Sequence, residues 1–121
     1  MIQIGEERII IRNAEKYDRP FIASTWIESE KRMLKRGALK EGAHSLERVC
    51  VINDHLDKYR FVVACSEDYP RTIVSWICYL VDSSDIRRRV YSYTVYQLRG
   101  NGLSRALMEI VGVQARTARA A

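Results

Sequence analysis

The stretch Val90-Tyr-Ser-Tyr-Thr-Val-Tyr-Gln-Leu-Arg-Gly-Asn-Gly-Leu-Ser-Arg-Ala-Leu-Met-Glu-Ile-Val111 decides the fold. Its first part, Val90 to Tyr96, is β-branched and aromatic and reads as a strand. A loop with two glycines follows, Arg99-Gly100-Asn101-Gly102. Leu103, Ala106, Leu107, Ile110 and Val111 then recur at i, i+3, i+4, i+7 and i+8, the apolar stripe of a helix. A strand, a glycine loop and a helix form a general device for holding a phosphate. Glycines let the backbone approach the ligand, and the helix N-terminus offers unpaired N–H groups at the positive end of its dipole. Arg99, just before the first glycine, adds a charge-assisted donor.

The spacing separates the families that use this device. A dinucleotide fold requires a third glycine after Gly100 and Gly102, where Arg105 stands, and a P-loop requires Gly-Lys-Ser/Thr, which is absent. Too little chain follows for a parallel partner strand. The pattern present is Arg99-x-x-Gly102-x-Ser104. It resembles the acyl-CoA pyrophosphate loop of the GNAT N-acetyltransferase superfamily, Gln/Arg-x-x-Gly-x-Gly/Ala. A second register, Gln97-x-x-Gly100-x-Gly102, satisfies the pattern as well. The Arg99 register is preferred, because Arg-Gly-x-Gly followed by Leu-Ser-Arg-Ala-Leu is similar to that family's loop and helix start. Ser104 departs from the pattern but is small. The plainer alternative is a glycine turn between an ordinary strand and helix.

The upstream order of elements supports the resemblance. Arg8 to Ala14 reads as a first strand, buried on both faces. Asp18 before Arg19-Pro20 reads as a helix start, and Phe21, Ile22, Trp26, Met33 and Leu34 give the stripe, with Gly37 as the stop. Leu39 to Ala43 is a connection. Ser45 reads as the cap of a second helix, with Leu46, Val49, Cys50 and Leu56 on one face and an end near Tyr59. Arg60 to Ser66 is a strand, Glu67 to Pro70 a turn, and Thr72 to Val81 a strongly apolar, central strand. Asp82-Ser83-Ser84-Asp85 is a hairpin turn, and the Arg87-Arg88-Arg89 cluster after it reads as part of a solvated turn. The short hairpins predict an antiparallel meander.

The fold class is therefore α+β, a three-layer arrangement of a mostly antiparallel sheet flanked by helices, in the order β-α-α-β-β-β-α. This is the order of the GNAT fold up to its CoA-pyrophosphate helix, and the resemblance spans roughly residues 7 to 112. The opening Ile-Arg-Asn-Ala-Glu also looks like that family's first strand. A Phe-Ile-x-Ser/Thr-Trp-Ile/Leu type of helix, here Phe21 to Ile27, and a Gly/Ser-Trp-Ile type of strand, here Ser75 to Ile77, look like short bacteriophage-encoded members. Residues 1–121 are expected to form one domain. The tail, 113–121, is read as a frayed helix end, so the fold stops after the pyrophosphate helix.

Composition sets the outer bounds. The 47% hydrophobic and 29% charged residues are those of a globular protein, and no apolar run approaches the roughly 18 residues of a membrane span. No secretory signal is visible at the N-terminus, so a cytoplasmic location is expected, in a host cell or a virion if the gene is a phage's. Cys50, Cys65 and Cys78 read as reduced core thiols. His44 and His55 lack ligand partners at a useful spacing, so no metal is expected. The net charge of +5 suits a polyanion such as CoA or nucleic acid. The Arg87–Arg89 cluster is the one specific feature that supports nucleic acid, and no zinc-finger, RNP or helix-turn-helix signature joins it.

The resemblance implies a set of site residues. Acyl-CoA would pair its pantetheine with the strand at Tyr93, Thr94 and Val95. Its pyrophosphate would lie on the N–H groups of Gly100, Asn101, Gly102, Leu103 and Ser104, with Arg99 at the rim. Val95 lies four positions before Arg99, where the family more often has five. The reaction implied is attack of an amine on the thioester, with acetyl-CoA as co-substrate and the acceptor unidentified. Glu67 is a candidate general base, with Asp68 beside it, against a plainer reading as turn residues. Tyr93 is a second candidate catalytic residue. Trp26 and Trp76 read as core, with Trp26 as an alternative wall of the acceptor pocket.

The family continues with a fifth strand, a further helix and two more strands, and the helix often carries a Tyr that protonates the leaving thiolate. Nine residues follow Gly112, and only Val113 among them is a strand former. The expected edge strand would need covering, by a second copy or by a protein partner. Two function classes follow: an acetyl-CoA-dependent N-acyltransferase, or a catalytically inactive GNAT-like structural or interaction protein, the latter from a phage in the narrower reading.

Overall fold

The computed structural model describes residues 2–35 and 46–117. The elements are β1 (Ile2–Ile4), β2 (Glu7–Asn13), a 3-10 turn (Lys16–Asp18), α1 (Arg19–Lys35), α2 (Leu46–Lys58), β3 (Arg60–Ser66), β4 (Ile73–Val81), β5 (Arg87–Thr94), a second 3-10 turn (Tyr96–Leu98), α3 (Leu103–Val111) and β6 (Val113–Thr117). The expected order is present, with one strand added at each end. Gly37, the Leu39 to Ala43 connection, His44 and Ser45 lie outside the described residues. The chain divides into two compact units, one of Met1–Glu15 with Tyr59–Ala121 and the other of Lys16–Lys58.

In the helical unit the start of α1 meets the end of α2, so the two run antiparallel. Arg19 pairs with Asp57 at 2.7 Å, and the rings of Trp26 and His55 stack at 5.5 Å. Asp18 immediately precedes α1, as expected of its cap. The buried positions of α1 are Ile22, Trp26 and Glu30, one turn apart, while Phe21 is exposed and Met33 half-buried. In α2 Ile52 and Leu56 are buried, but Cys50 is exposed. The reading of Cys50 as a core thiol is thus corrected: it sits on the opposite side of the helix from Ile52. Cys65 and Cys78 are buried, and desolvation pushes the Cys78 thiol far up, so it stays protonated.

The other unit is one six-stranded sheet in the order β1-β2-β3-β4-β5-β6. The first five strands pair antiparallel in sequence, a meander. β1 hairpins onto β2 through Gly5 and Glu6. In β2 only Ile9 is fully buried, with Ile10 and Ile11 half-buried, so this strand is less enclosed than its apolar run suggests. β4 is buried on both faces from Ser75 to Tyr79, as a central strand should be.

Two expectations about the end of the chain are corrected. Residues 113–117 do not continue the helix, and the strand order does not stop at α3. Gly112, at φ 78°, ends α3 in the left-handed conformation, with its N–H turned onto the carbonyls of Met108 and Glu109. The chain then returns as β6, parallel to β5, so β5-α3-β6 is a crossover unit and a parallel partner strand is present after all. Residues 118–121 lie outside the described residues. The Arg87–Arg89 cluster is also reassigned. It belongs to β5, not to the preceding turn, and pairs with Val81, Leu80 and Tyr79.

The register assigns each side chain to a face, because paired residues point the same way and successive residues alternate. One face carries Ile9, Val62, Ala64, Ile77 and Tyr79, and on it α3 packs through Leu103 and Leu107, with Val113 completing the cluster. Ile110, expected on the apolar stripe, is instead 58% exposed. The opposite face carries Trp76, fully buried, whose ring meets those of Phe61, Tyr91 and Tyr93 at 6.0, 5.8 and 6.2 Å. Between these pairs β5 slips by one residue at Val90, a bulge that puts Arg87 and Arg89 on the α3 face but Tyr91 and Tyr93 on the other.

The β4–β5 turn is held by Asp82. Its carboxylate accepts the N–H groups of Ser84 at 2.8 Å and Ile86 at 3.0 Å, and Nε of Arg88 donates to it at 2.8 Å. The Arg88 hydrogen bond, with the two amides, holds the Asp82 carboxyl below the usual carboxylate range. A depressed folded-state pKa stabilises the fold above the unfolded pKa, and that contribution is lost as pH falls through the folded value. Asp82→Asn is therefore expected to lower the urea midpoint at pH 7, with the gap to wild type closing as pH falls below about 4. A gap that is constant across this range would show that the charge of Asp82 is not what stabilises the turn.

Candidate functional site

The loop between β5 and α3 opens onto a groove of about 300 Å³. Two features of the sequence shape it. Gly102 sits at φ 70° immediately before the helix, so the helix begins on a left-handed residue with no side chain capping it among the described residues. A Cβ built there would meet nothing within 4 Å, so the space over the helix start is open. The first helical hydrogen bond runs from the Ala106 N–H to the Gly102 carbonyl at 2.9 Å. The N–H groups before it have no intrahelical acceptor, and Gly102 to Arg105 line the groove.

Of the nine residues expected to bind acyl-CoA, seven line this groove: Tyr93, Thr94, Arg99, Gly100, Gly102, Leu103 and Ser104. Val95 and Asn101 do not. The Val95 N–H donates to the Val74 carbonyl at 2.9 Å, and the Asn101 amide folds back onto the Leu98 carbonyl at 3.1 Å. Ser92, Leu98 and Arg105 line the groove as well, and the sequence reading did not include them. Arg105 carried a usable signal. A cation in the first turn of a helix opposes the dipole, which makes its placement beside an anion-binding loop informative.

Arg99 bridges the loop and the strand. Its Nε donates to the Thr94 carbonyl at 2.8 Å, and its guanidinium lies 5.8 Å from the ring centres of both Tyr93 and Tyr96. The hydroxyl of Ser75 donates to the Tyr93 carbonyl at 2.7 Å and lies 2.9 Å from that of Thr94, tying the end of β5 to β4. On its other side β5 pairs with β6, among the described residues, at Arg87, Arg88 and Arg89, and the partner of Arg89 is Thr117, the last described residue of β6. Beyond Arg89, β5 continues through residues 90–94 toward the loop.

The candidate bases lie differently. Glu67 follows β3, forms an ion pair with Arg8 at 3.3 Å and does not line the groove, and Asp68 is exposed. Tyr93 lines the groove, with its ring stacked on Trp76. Among the described residues no Asp, Glu or His lines it. Trp26 is buried in the helical unit against His55. Among the described residues no group of three or more His, Cys, Asp or Glu is placed to hold a metal, and no helix is long and apolar enough to cross a membrane.

No protein-family model and no curated protein matches the sequence. Solved structures do match the fold. A possible acetyltransferase from Clostridium difficile 630 superposes with a TM-score of 0.63 at 19% identity, over 88% of this chain and 70% of its own. A Desulfovibrio desulfuricans protein assigned to the GNAT acetyltransferase family gives 0.54 at 16%, over 86% and 63%. A predicted acetyltransferase with acetyl-CoA from Clostridium acetobutylicum gives 0.52 at 16%, over 94% and 81%. The chain has the GNAT fold.

Proposed function

We propose that this protein binds an acyl-CoA, with acetyl-CoA the first to test, and transfers its acyl group to an amine. The observation that carries this reading is the continuity of one groove from the end of β5, at Ser92 to Thr94, to the start of α3, at Leu103 to Arg105. The two halves suit the two parts of such a ligand. The end of β5 gives the groove an extended wall along which a chain bearing amides can lie. The loop offers N–H groups, the Ser104 hydroxyl and the guanidinium groups of Arg99 and Arg105 to a pyrophosphate. Acyl-CoA supplies an activated thioester, and the protein's part is to hold it straight and to bring an amine to it.

For Arg99 to reach a phosphate with Nε, it would give up its bond to the Thr94 carbonyl, which then becomes available along the strand edge. One rotamer change would thus prepare both halves of the groove.

Isothermal titration with acetyl-CoA tests the reading, on the wild type and on a double variant, Arg99→Ala with Gly102→Val. Saturable binding by the wild type and at least a tenfold loss in the variant are expected. No heat from the wild type at about millimolar ligand would overturn it.

A second reading starts from the groove lining, in which no carboxylate or imidazole stands among the described residues. Such a protein would bind acyl-CoA without transferring the acyl group. Release of free thiol from acetyl-CoA in the presence of mixed primary amines separates the two: a steady release supports transfer, and binding without release supports a binding protein.

A further inference from the structure

A second groove, of about 410 Å³, lies on the α3 face of the sheet at the far end of the helix, beyond Val111. We propose that it is a separate anion site that takes the phosphate group of a small ligand, independent of the acyl-CoA reading. Its floor is set by register. Asn13 pairs with Val62, Arg60 pairs with Tyr79, and Arg87 lies on the same face at the start of β5.

Arg60 and Arg87 stand on the two strands that flank β4, Arg60 level with Tyr79 and Arg87 level with Val81, roughly 12 Å apart at their backbones. The Arg87 guanidinium lies 5.7 Å from the centre of that ring. One of its nitrogens, Nη1, donates to the Val111 carbonyl at 2.6 Å, which neutralises the negative end of α3. Its remaining N–H groups are left for a ligand. Among the described residues no carboxylate pairs with Arg60, and no acidic side chain lines the groove. Arg12 contributes through its backbone, since its side chain alternates to the opposite face and its guanidinium donates to the carbonyls of Asn13 and Pro70.

The arrangement discriminates between anions. A carboxylate is satisfied by one guanidinium in a bidentate pair. Arg60 and Arg87 on separate strands, with Asn13 on β2, line one groove and together carry donors enough for a doubly charged tetrahedral group.

The test is a titration of the whole protein, followed by its amide and arginine side-chain NMR signals at constant ionic strength. Inorganic phosphate, glycerol phosphate and acetate are the three probes. Both phosphates are expected to shift Asn13, Arg60, Val62, Tyr79 and Arg87 saturably, and acetate to do so at least about tenfold more weakly. Tighter binding of glycerol phosphate would support the site with an ester as its ligand, and tighter binding of inorganic phosphate would support it with the free ion. Arg60→Gln is expected to weaken phosphate at least tenfold, whereas Arg32→Gln, an exposed position on α1 that removes the same charge, leaves it unchanged. Arg60 is exposed at the start of β3, so its variant is expected to keep the fold. The proposal is overturned by any of four results: no saturable shift at these residues up to about 100 mM phosphate, shifts confined to Gly100–Arg105, acetate binding as tightly as phosphate, or Arg60→Gln binding like wild type.

Discussion

Gly102→Ala is expected to weaken acetyl-CoA by at least tenfold, and Gly112→Ala to leave it unchanged, although the two cost the fold the same. The glycines flank α3 and share a conformation, φ 70° before the helix and φ 78° after it. An alanine at either position must adopt the left-handed region, which costs about 1–2 kcal/mol. Neither added Cβ meets another atom within 4 Å, so the cost is conformational at both ends and involves no clash with the protein. What differs is the space each Cβ enters. At Gly102 it stands in the groove that would receive a pyrophosphate. At Gly112 it stands outside that groove. Comparing unfolding midpoints with titration isotherms separates strain from obstruction. Equal losses of affinity in the two variants would show that the groove is not where the ligand sits.

Much of the sheet was legible because its strands obey local rules. β3 is legible to the residue, Arg60–Ser66, since an apolar run is bounded by charge and by an acidic turn. The glycine loop before α3 is legible because glycine spacing is a local signal, and Arg99, Gly100, Gly102 and Ser104 line one groove. β1 left a signal that the reading passed over: Ile2 and Ile4 alternate around Gln3, ahead of a two-residue turn opened by glycine.

The start of β5 was hidden by its composition. Three successive arginines resemble a solvated turn, and only the pairing with β4 makes them a strand. The bulge at Val90 compounds this, because alternation read from Tyr91 and Tyr93 backwards puts Arg87 and Arg89 on the wrong face. β6 was illegible for a stronger reason. Val113-Gln-Ala-Arg-Thr has little strand propensity of its own, and what makes it a strand is the open edge of β5 that α3 delivers it to. Gly112 was the available clue, a helix stop inside what was read as continuous helix.

That delivery makes α3 the element on which the site depends, and Leu107→Ala is expected to be the most damaging single truncation near it. α3 has nine residues, too few to be stable alone, so its place is set by the side chains it buries. Two of them are fully enclosed against Ile9, Val62, Ala64, Ile77 and Tyr79: Leu103 in the first turn and Leu107 in the middle. Removing the Leu107 side chain is expected to cost about 2–5 kcal/mol, the sum of lost burial and the cavity left behind. Against a stability of about 5–15 kcal/mol for an ordinary domain, that is a large fraction. Ile110→Ala serves as the internal control. It removes a side chain of equal size from the same helix, but one that is 58% exposed, and is expected to cost within about 0.5 kcal/mol. Urea unfolding of the two variants reads the difference directly. If Leu107→Ala costs no more than Ile110→Ala, α3 is not held to the sheet as described. The N–H groups at its start would then have no fixed position relative to the edge of β5, and the single groove on which the acyl-CoA reading rests would not exist in solution.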